Sequence, residues 1–101
     1  MGQFIYGGSA TNSFEIDDRI LAHLEIAIGT KFRRNESFIL TLRGRELPSG
    51  SGYREFWMHP AIWMQFRIDR PERARPINAA WVATMVAAAS TDRGLSLIRE
   101  P

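Results

Sequence analysis

The sequence predicts an α+β fold, a single small domain with a mostly antiparallel sheet and two helices packed on one of its faces. Three observations carry this. Apolar residues recur at three- and four-residue steps in two separate segments, the period of a helix face. Short runs that alternate apolar and polar residues stand before, between and after those segments, the period of a half-buried strand. The 101 residues hold no internal repeat and no linker long enough to divide them, so 1–101 is read as one domain. The order strand, strand, helix, three strands, helix, strand then has to close around one core.

Residues 3–7 form a first short strand, and Gly7 and Gly8 with the polar run 9–12 turn the chain into a second strand, Ser13 to Ile16, completing an N-terminal hairpin. Asp17 and Asp18 then supply a helix N-cap and acid for the positive end of the helix dipole. Ile20, Leu21, Leu24, Ile28 and Phe32 make one helical face up to about Arg34, where Lys31, Arg33 and Arg34 place positive charge against the negative end. Asn35 suits the left-handed cap. Phe38 to Arg43 alternates Phe38, Leu40 and Leu42 against Ile39, Thr41 and Arg43, a strand with one buried face. The glycine- and serine-rich run 44–52 is expected to be an exposed, mobile loop, too long for a tight hairpin.

The stretch 53–69 reads as two strands joined at His59-Pro60-Ala61, since proline cannot donate to a ladder. Setting His59 opposite Trp63 sorts the side chains cleanly. Phe56 then faces Phe66, Met58 faces Met64 and Arg54 faces Ile68 on an inner face. Trp57 with Gln65, Glu55 with Arg67 and Tyr53 with Asp69 occupy the outer one. A shift of one residue mixes the two sets, so this hairpin register is the expectation. Residues 70–76 form a polar loop with three arginines. Asn78 caps a second, alanine-rich helix from Ala79 to about Arg93, with Gly94 after its end and Ile77, Trp81, Met85 and Ala88 on one face. Residues 95–99 form a last strand.

The net charge is only +2, yet 12 of the 13 basic side chains are arginine and Lys31 is the sole lysine. Arginine offers a planar fork for phosphate, carboxylate or an aromatic face. The absence of cysteine excludes disulfides, thiolate metal sites and cysteine nucleophiles, and suits a reducing cytoplasm. No apolar run approaches the roughly 20 residues that span a bilayer, so a cytoplasmic protein with no membrane partner is expected. Gly7-Gly8 lacks a following phosphate-binding lysine, and His23 and His59 fall on different elements without an acidic triad nearby. No cofactor, metal site or catalytic constellation is therefore expected.

The outer face of the expected hairpin is the strongest candidate site. Tyr53, Trp57, His59, Trp63, Gln65 and Arg67, followed by Arg70, Arg73 and Arg75, form the mixture of stacking rings and cations that single-stranded nucleic-acid binders use. Exposed contiguous aromatic residues equally mark protein interfaces. The expectation is a non-catalytic binding module that associates with itself through the Trp57 and Trp63 face, with nucleic acid as the leading partner outside itself.

Several short runs extend this reading: Tyr6-Gly7, Ile16-Asp17-Asp18-Arg19, Leu21-Ala22-His23-Leu24, Arg33-Arg34 with Glu36-Ser37-Phe38, Trp57 with His59-Pro60, Asn78 with Ala80-Trp81, and Gly94-Leu95. Over its full length the chain resembles a family of short actinobacterial proteins of uncharacterised function whose members often carry the label "ATP-dependent DNA ligase". The resemblance implies, as an alternative, an accessory domain or mislabelled relative of such ligases acting in DNA metabolism. A nucleotidyl-transferring ligase uses a lysine nucleophile followed by an aspartate and a glycine, whereas Lys31 is followed by Phe32-Arg33-Arg34.

Overall fold

The computed structural model describes residues 1–8 and 12–101. Its elements are β1 (Gly2–Tyr6), β2 (Ser13–Ile16), α1 (Asp18–Arg33), β3 (Phe38–Arg43), β4 (Tyr53–Met58), β5 (Met64–Arg67), α2 (Ala79–Ala89) and β6 (Leu95–Ser96), the α+β order expected from the sequence. Of the turn expected over 9–12, residues 9–11 lie outside the described residues.

The strands form two sheets, ordered β2-β1-β5 and β4-β3-β6. β1 pairs antiparallel with β2, Phe4 opposite Phe14, so the N-terminal hairpin is present. The expected hairpin of β4 on β5 is not. β4 instead pairs along its whole length with β3, Phe56 opposite Leu40 and Met58 opposite Phe38. β5 pairs with β1, Phe66 opposite Phe4 and Met64 opposite Tyr6. The alternation had sorted inner from outer side chains correctly, because Phe56 and Met58 are buried while Trp57, Trp63, Gln65 and Arg67 are exposed. It carries no information about which apolar strand lies opposite, and β3 and β1 offer apolar rows as good as the two strands offer each other.

The sheets meet around Phe56, whose ring lies 5.0 Å from that of Tyr6, 5.3 Å from Phe14 and 5.8 Å from Phe4. Such tilted and edge-on contacts are the favoured aromatic geometries. Residues 59–63 carry the chain from one sheet to the other. Helix α1 leans mainly on β1 and β5, α2 on β3 and β6, and the two helices pack on each other.

Helix α1 is capped by Asp17, whose carboxylate accepts the N–H groups of Arg19 and Ile20. Asp18 has a different use from the capping expected of it. It is buried and accepts the backbone N–H groups of Asp69 and Arg70 at 3.2 and 3.1 Å, with the N-terminal amine 3.7 Å away. Asn35 takes the left-handed conformation after the helix, at φ +57°. The run 44–52 is not simply exposed: Gly44 donates to the carbonyl of Gly52, closing β3 onto β4, and Leu47 is buried. Helix α2 stops at Ala89, earlier than expected, because Ser90 caps it and Thr91 and Gly94 close a tight turn. β6 is two residues long and runs parallel to β3. Ile77, expected on the buried face of α2, precedes the cap and is exposed.

Candidate nucleic-acid and partner interface

Residues directly opposite in a sheet share a face, and this distributes the expected site residues over separate surfaces. On the outer face of the β4-β3-β6 sheet, Trp57 lies opposite Ile39, Glu55 opposite Thr41 and Tyr53 opposite Arg43. Trp57 is 71 % exposed and Tyr53 61 %, so this face is bare where they stand. The Arg43 guanidinium lies 5.9 Å from the centre of the Tyr53 ring, within cation–π range. The carbonyl of Trp57 accepts the Tyr6 hydroxyl at 2.7 Å, which pins the end of β4 to the neighbouring sheet.

Gln65 and Arg67 belong to the outer face of the other sheet, opposite Ile5 and Gln3. Trp63, just before β5, is also exposed, and its carbonyl accepts the Gly7 N–H. The ion pair expected between Glu55 and Arg67 gives way to one between Arg67 and Asp69, N to O 3.2 Å. His59 stands at the crossing between sheets, its Nδ1 accepting the Ala61 N–H at 3.0 Å, so it shapes the corner. Arg70, Arg73 and Arg75 lie on the exposed segment that includes a turn of 3-10 helix at Pro71–Ala74, which packs against α1. Trp57 and Tyr53 are therefore together, Trp63, Gln65 and Arg67 are together, and the three loop arginines form a third group.

The sequence reading missed Arg43 and Arg45, which stand together at the Tyr53 end of the β3 and β4 ladder, and Arg54, which lies at the same end on the opposite face. Arg43 already showed the outward period of its strand. Arg54 gave no such signal: its period points inward, yet at the margin of the sheet its guanidinium lies over the Phe14 ring at 5.5 Å.

A second group of polar residues is half-buried and bonded within the fold. Arg19 donates from Nε and Nη2 to the two carboxylate oxygens of Glu100 at 2.8 and 2.7 Å, and from Nη1 to the carbonyls of Pro76 and Ala74. Asn78 Nδ2 donates to the same carboxylate while its Oδ1 caps α2 by accepting the Trp81 N–H. The Arg19 hydrogen bond, and then that of Asn78, hold the Glu100 carboxyl well below its ordinary value, at about 2. The same pairing raises Arg19 above its ordinary value. Buried His23 accepts the Asn78 backbone N–H at Nε2, which leaves Nδ1 to donate to the Arg19 carbonyl, and its ring stacks on Trp81 at 4.5 Å. Both ring nitrogens are thus committed to the fold.

Lys31 is likewise buried, donating to Ser90 Oγ at 2.9 Å with Glu36 at 3.1 Å. It lies beside an open pocket of about 500 Å³ between the ends of the two helices. No group of three or more metal-ligating side chains occurs among the described residues. No described helix is long and apolar enough to cross a membrane.

These features define a small α+β domain with polar side chains locked inside and aromatic and arginine side chains set out on bare sheet faces. The chain belongs to a family, described as "Domain of unknown function (DUF7882)", that matches residues 1–100. No curated protein and no solved structure matches it.

Proposed function

We propose that the protein is a non-catalytic binding module of the cytoplasm that meets its partners through the strand faces its helices leave bare, with nucleic acid the leading partner outside itself. The observation that carries this is Trp57. A tryptophan 71 % exposed near the end of a regular strand buries little for the monomer and offers a large, rigid contact surface. The arginine-dominated basic content adds a chemistry suited to phosphate.

The resemblance to proteins labelled as DNA ligases supports a place in DNA metabolism as an accessory domain rather than as the ligase. Lys31 is buried and engaged with Ser90 and Glu36, and a nucleophilic lysine must reach its nucleotide. Incubation with ATP, magnesium and nicked DNA should give neither adenylated protein nor sealing. Covalent label on Lys31 would overturn the non-catalytic reading.

Self-association is a second reading, favoured by the apolar continuity of Trp57 with Ile39 opposite it. It is tested by solution mass. Apolar burial between copies would make the mass fall on Trp57→Ala and respond little to salt, whereas single-strand binding would weaken steeply as salt rises.

A further inference from the structure

We infer that the outer face of β3 and β4, and not the faces carrying Trp63 or the loop arginines, is a platform for single-stranded nucleic acid. On it Tyr53 and Trp57 stack on bases, and Arg43 and Arg45 take the phosphates. This rests on the binding-module reading and names its ligand and its place.

The geometry has three parts. Tyr53 and Trp57 are four residues apart on one strand, about 13 Å at the usual rise, and project from the same face. Two exposed rings in line on one sheet face are a stacking surface for splayed bases, and every base has a π-face to offer.

The second part is charge. Arg43 lies opposite Tyr53 and shares its face, and Arg45 follows directly in the next turn, lining the same shallow pocket as Arg43. Neither is in an ion pair among the described residues. The nearby Glu46 is occupied, accepting the Arg43 backbone N–H. Arg67, by contrast, is already paired with Asp69 on the other sheet. Two unpaired guanidiniums beside two exposed rings complement a strand of phosphates and bases.

The third part is Glu55, exposed between the two rings and opposite the small Thr41. A carboxylate there repels phosphate from the middle of the face, so phosphates gather at the Tyr53 end beside Arg43 and the bases lie over the rings. An apolar self-interface gives Glu55 no comparable role.

The test is binding of a short fluorescent thymidine-only strand, read by anisotropy at several salt concentrations, with solution mass measured on the same samples. The wild type should bind at low salt. Trp57→Ala and Tyr53→Ala should each weaken binding roughly 5- to 150-fold, the fold-change equivalent of losing one stacked base. Arg43→Gln should lower the slope of log affinity against log salt by about 0.7, one phosphate's worth for a single strand. Arg33→Gln, the same charge change at the end of α1, should leave the slope unaltered. Glu55→Gln should strengthen binding several-fold. Circular dichroism checks that each variant is folded.

If the wild type binds no strand at low salt, both the inference and the nucleic-acid reading fail. If it binds but the loss follows Trp63→Ala or removal of Arg70, Arg73 and Arg75 while Trp57→Ala and Glu55→Gln change nothing, the reading stands and the placement on β4 is overturned. A fall in solution mass on Trp57→Ala without strand affinity makes the face a contact between copies and overturns the inference.

Discussion

Lys31 Nζ reaches Ser90 Oγ at 2.9 Å across the gap between the ends of the two helices. At the other end of the pair His23, in the second turn of α1, accepts the N–H of Asn78, the residue that caps the start of α2. The helices therefore run in the same sense, and their negative C-terminal ends lie together. Like ends of two helix dipoles repel, and a buried cation between them offsets that repulsion. The only lysine of the chain occupies that place.

Lys31→Met keeps the aliphatic stem and deletes the ammonium, and should cost about 1–2 kcal/mol, the upper range for a partly buried charge at a helix C-terminus. Arg33→Met, exposed one turn-position on, should stay within about 0.5 kcal/mol of wild type. Urea unfolding of the three proteins measures both differences. A neutral Lys31→Met would remove the dipole account.

The Glu100 carboxyl titrates at about 2 in the folded protein against an ordinary 4.5. A carboxylate whose folded value is depressed stabilises the protein fully above its unfolded value and loses that contribution as pH falls through the folded one. The melting temperature of wild type should exceed that of Glu100→Gln at neutral pH. The two curves should approach each other as the pH drops from about 4.5 towards about 2. Parallel curves over that interval would show that the Arg19 pairing is not the linked group.

Much of this architecture was legible because it is local. The period of Leu21, Leu24 and Ile28, the caps at Asp17 and Asn78 and the alternation of Phe38, Leu40 and Leu42 each depend on neighbours within a few residues. What stayed hidden is non-local. The apolar sides of β4 and β5 fit each other on paper as well as they fit β3 and β1, and only the closing of both sheets around Phe56 decides between them. Asp18 next to Asp17 looked like a second capping acid, because nothing in the sequence tells that the N–H groups of Asp69 and Arg70 arrive there. The candidate site divided for the same reason. Trp57 and Trp63 share an outward period, but residues 59–63 carry them to different sheets.

Gly94 follows the turn after α2 with φ +74°, and a Cβ added there would stand 2.4 Å from the Ile39 carbonyl oxygen. Gly7 has a similar φ of +68° with nothing within 4 Å of the added carbon. Gly7→Ala should therefore cost only the left-handed backbone preference, about 1–2 kcal/mol. Gly94→Ala should cost more than that, since the collision is with backbone of the central strand β3 and repairing it means moving the strand. Denaturant midpoints of the two variants give the order directly, and equal midpoints would contradict the packing of Gly94 on Ile39.

Because the chain has no cysteine, strand pairing can be read by introducing cysteines two at a time. Gln65 lies opposite Ile5 in the β1 and β5 ladder. The β4 and β5 hairpin that the sequence pattern alone suggests would instead place Gln65 opposite Trp57. Opposed side chains in a sheet bring their Cβ atoms to about 4.5–5.5 Å, close to what a disulfide spans after slight adjustment. Oxidising Ile5→Cys with Gln65→Cys should close a bond rapidly and raise the melting temperature, since the loop it closes is long. Trp57→Cys with Gln65→Cys should crosslink slowly, and only when the two sheets part. Mobility on non-reducing gels and the reduced-to-oxidised melting shift read out both pairs. Rapid closure of the second pair without the first would restore the hairpin and dismantle the two-sheet arrangement on which the β3 and β4 platform depends.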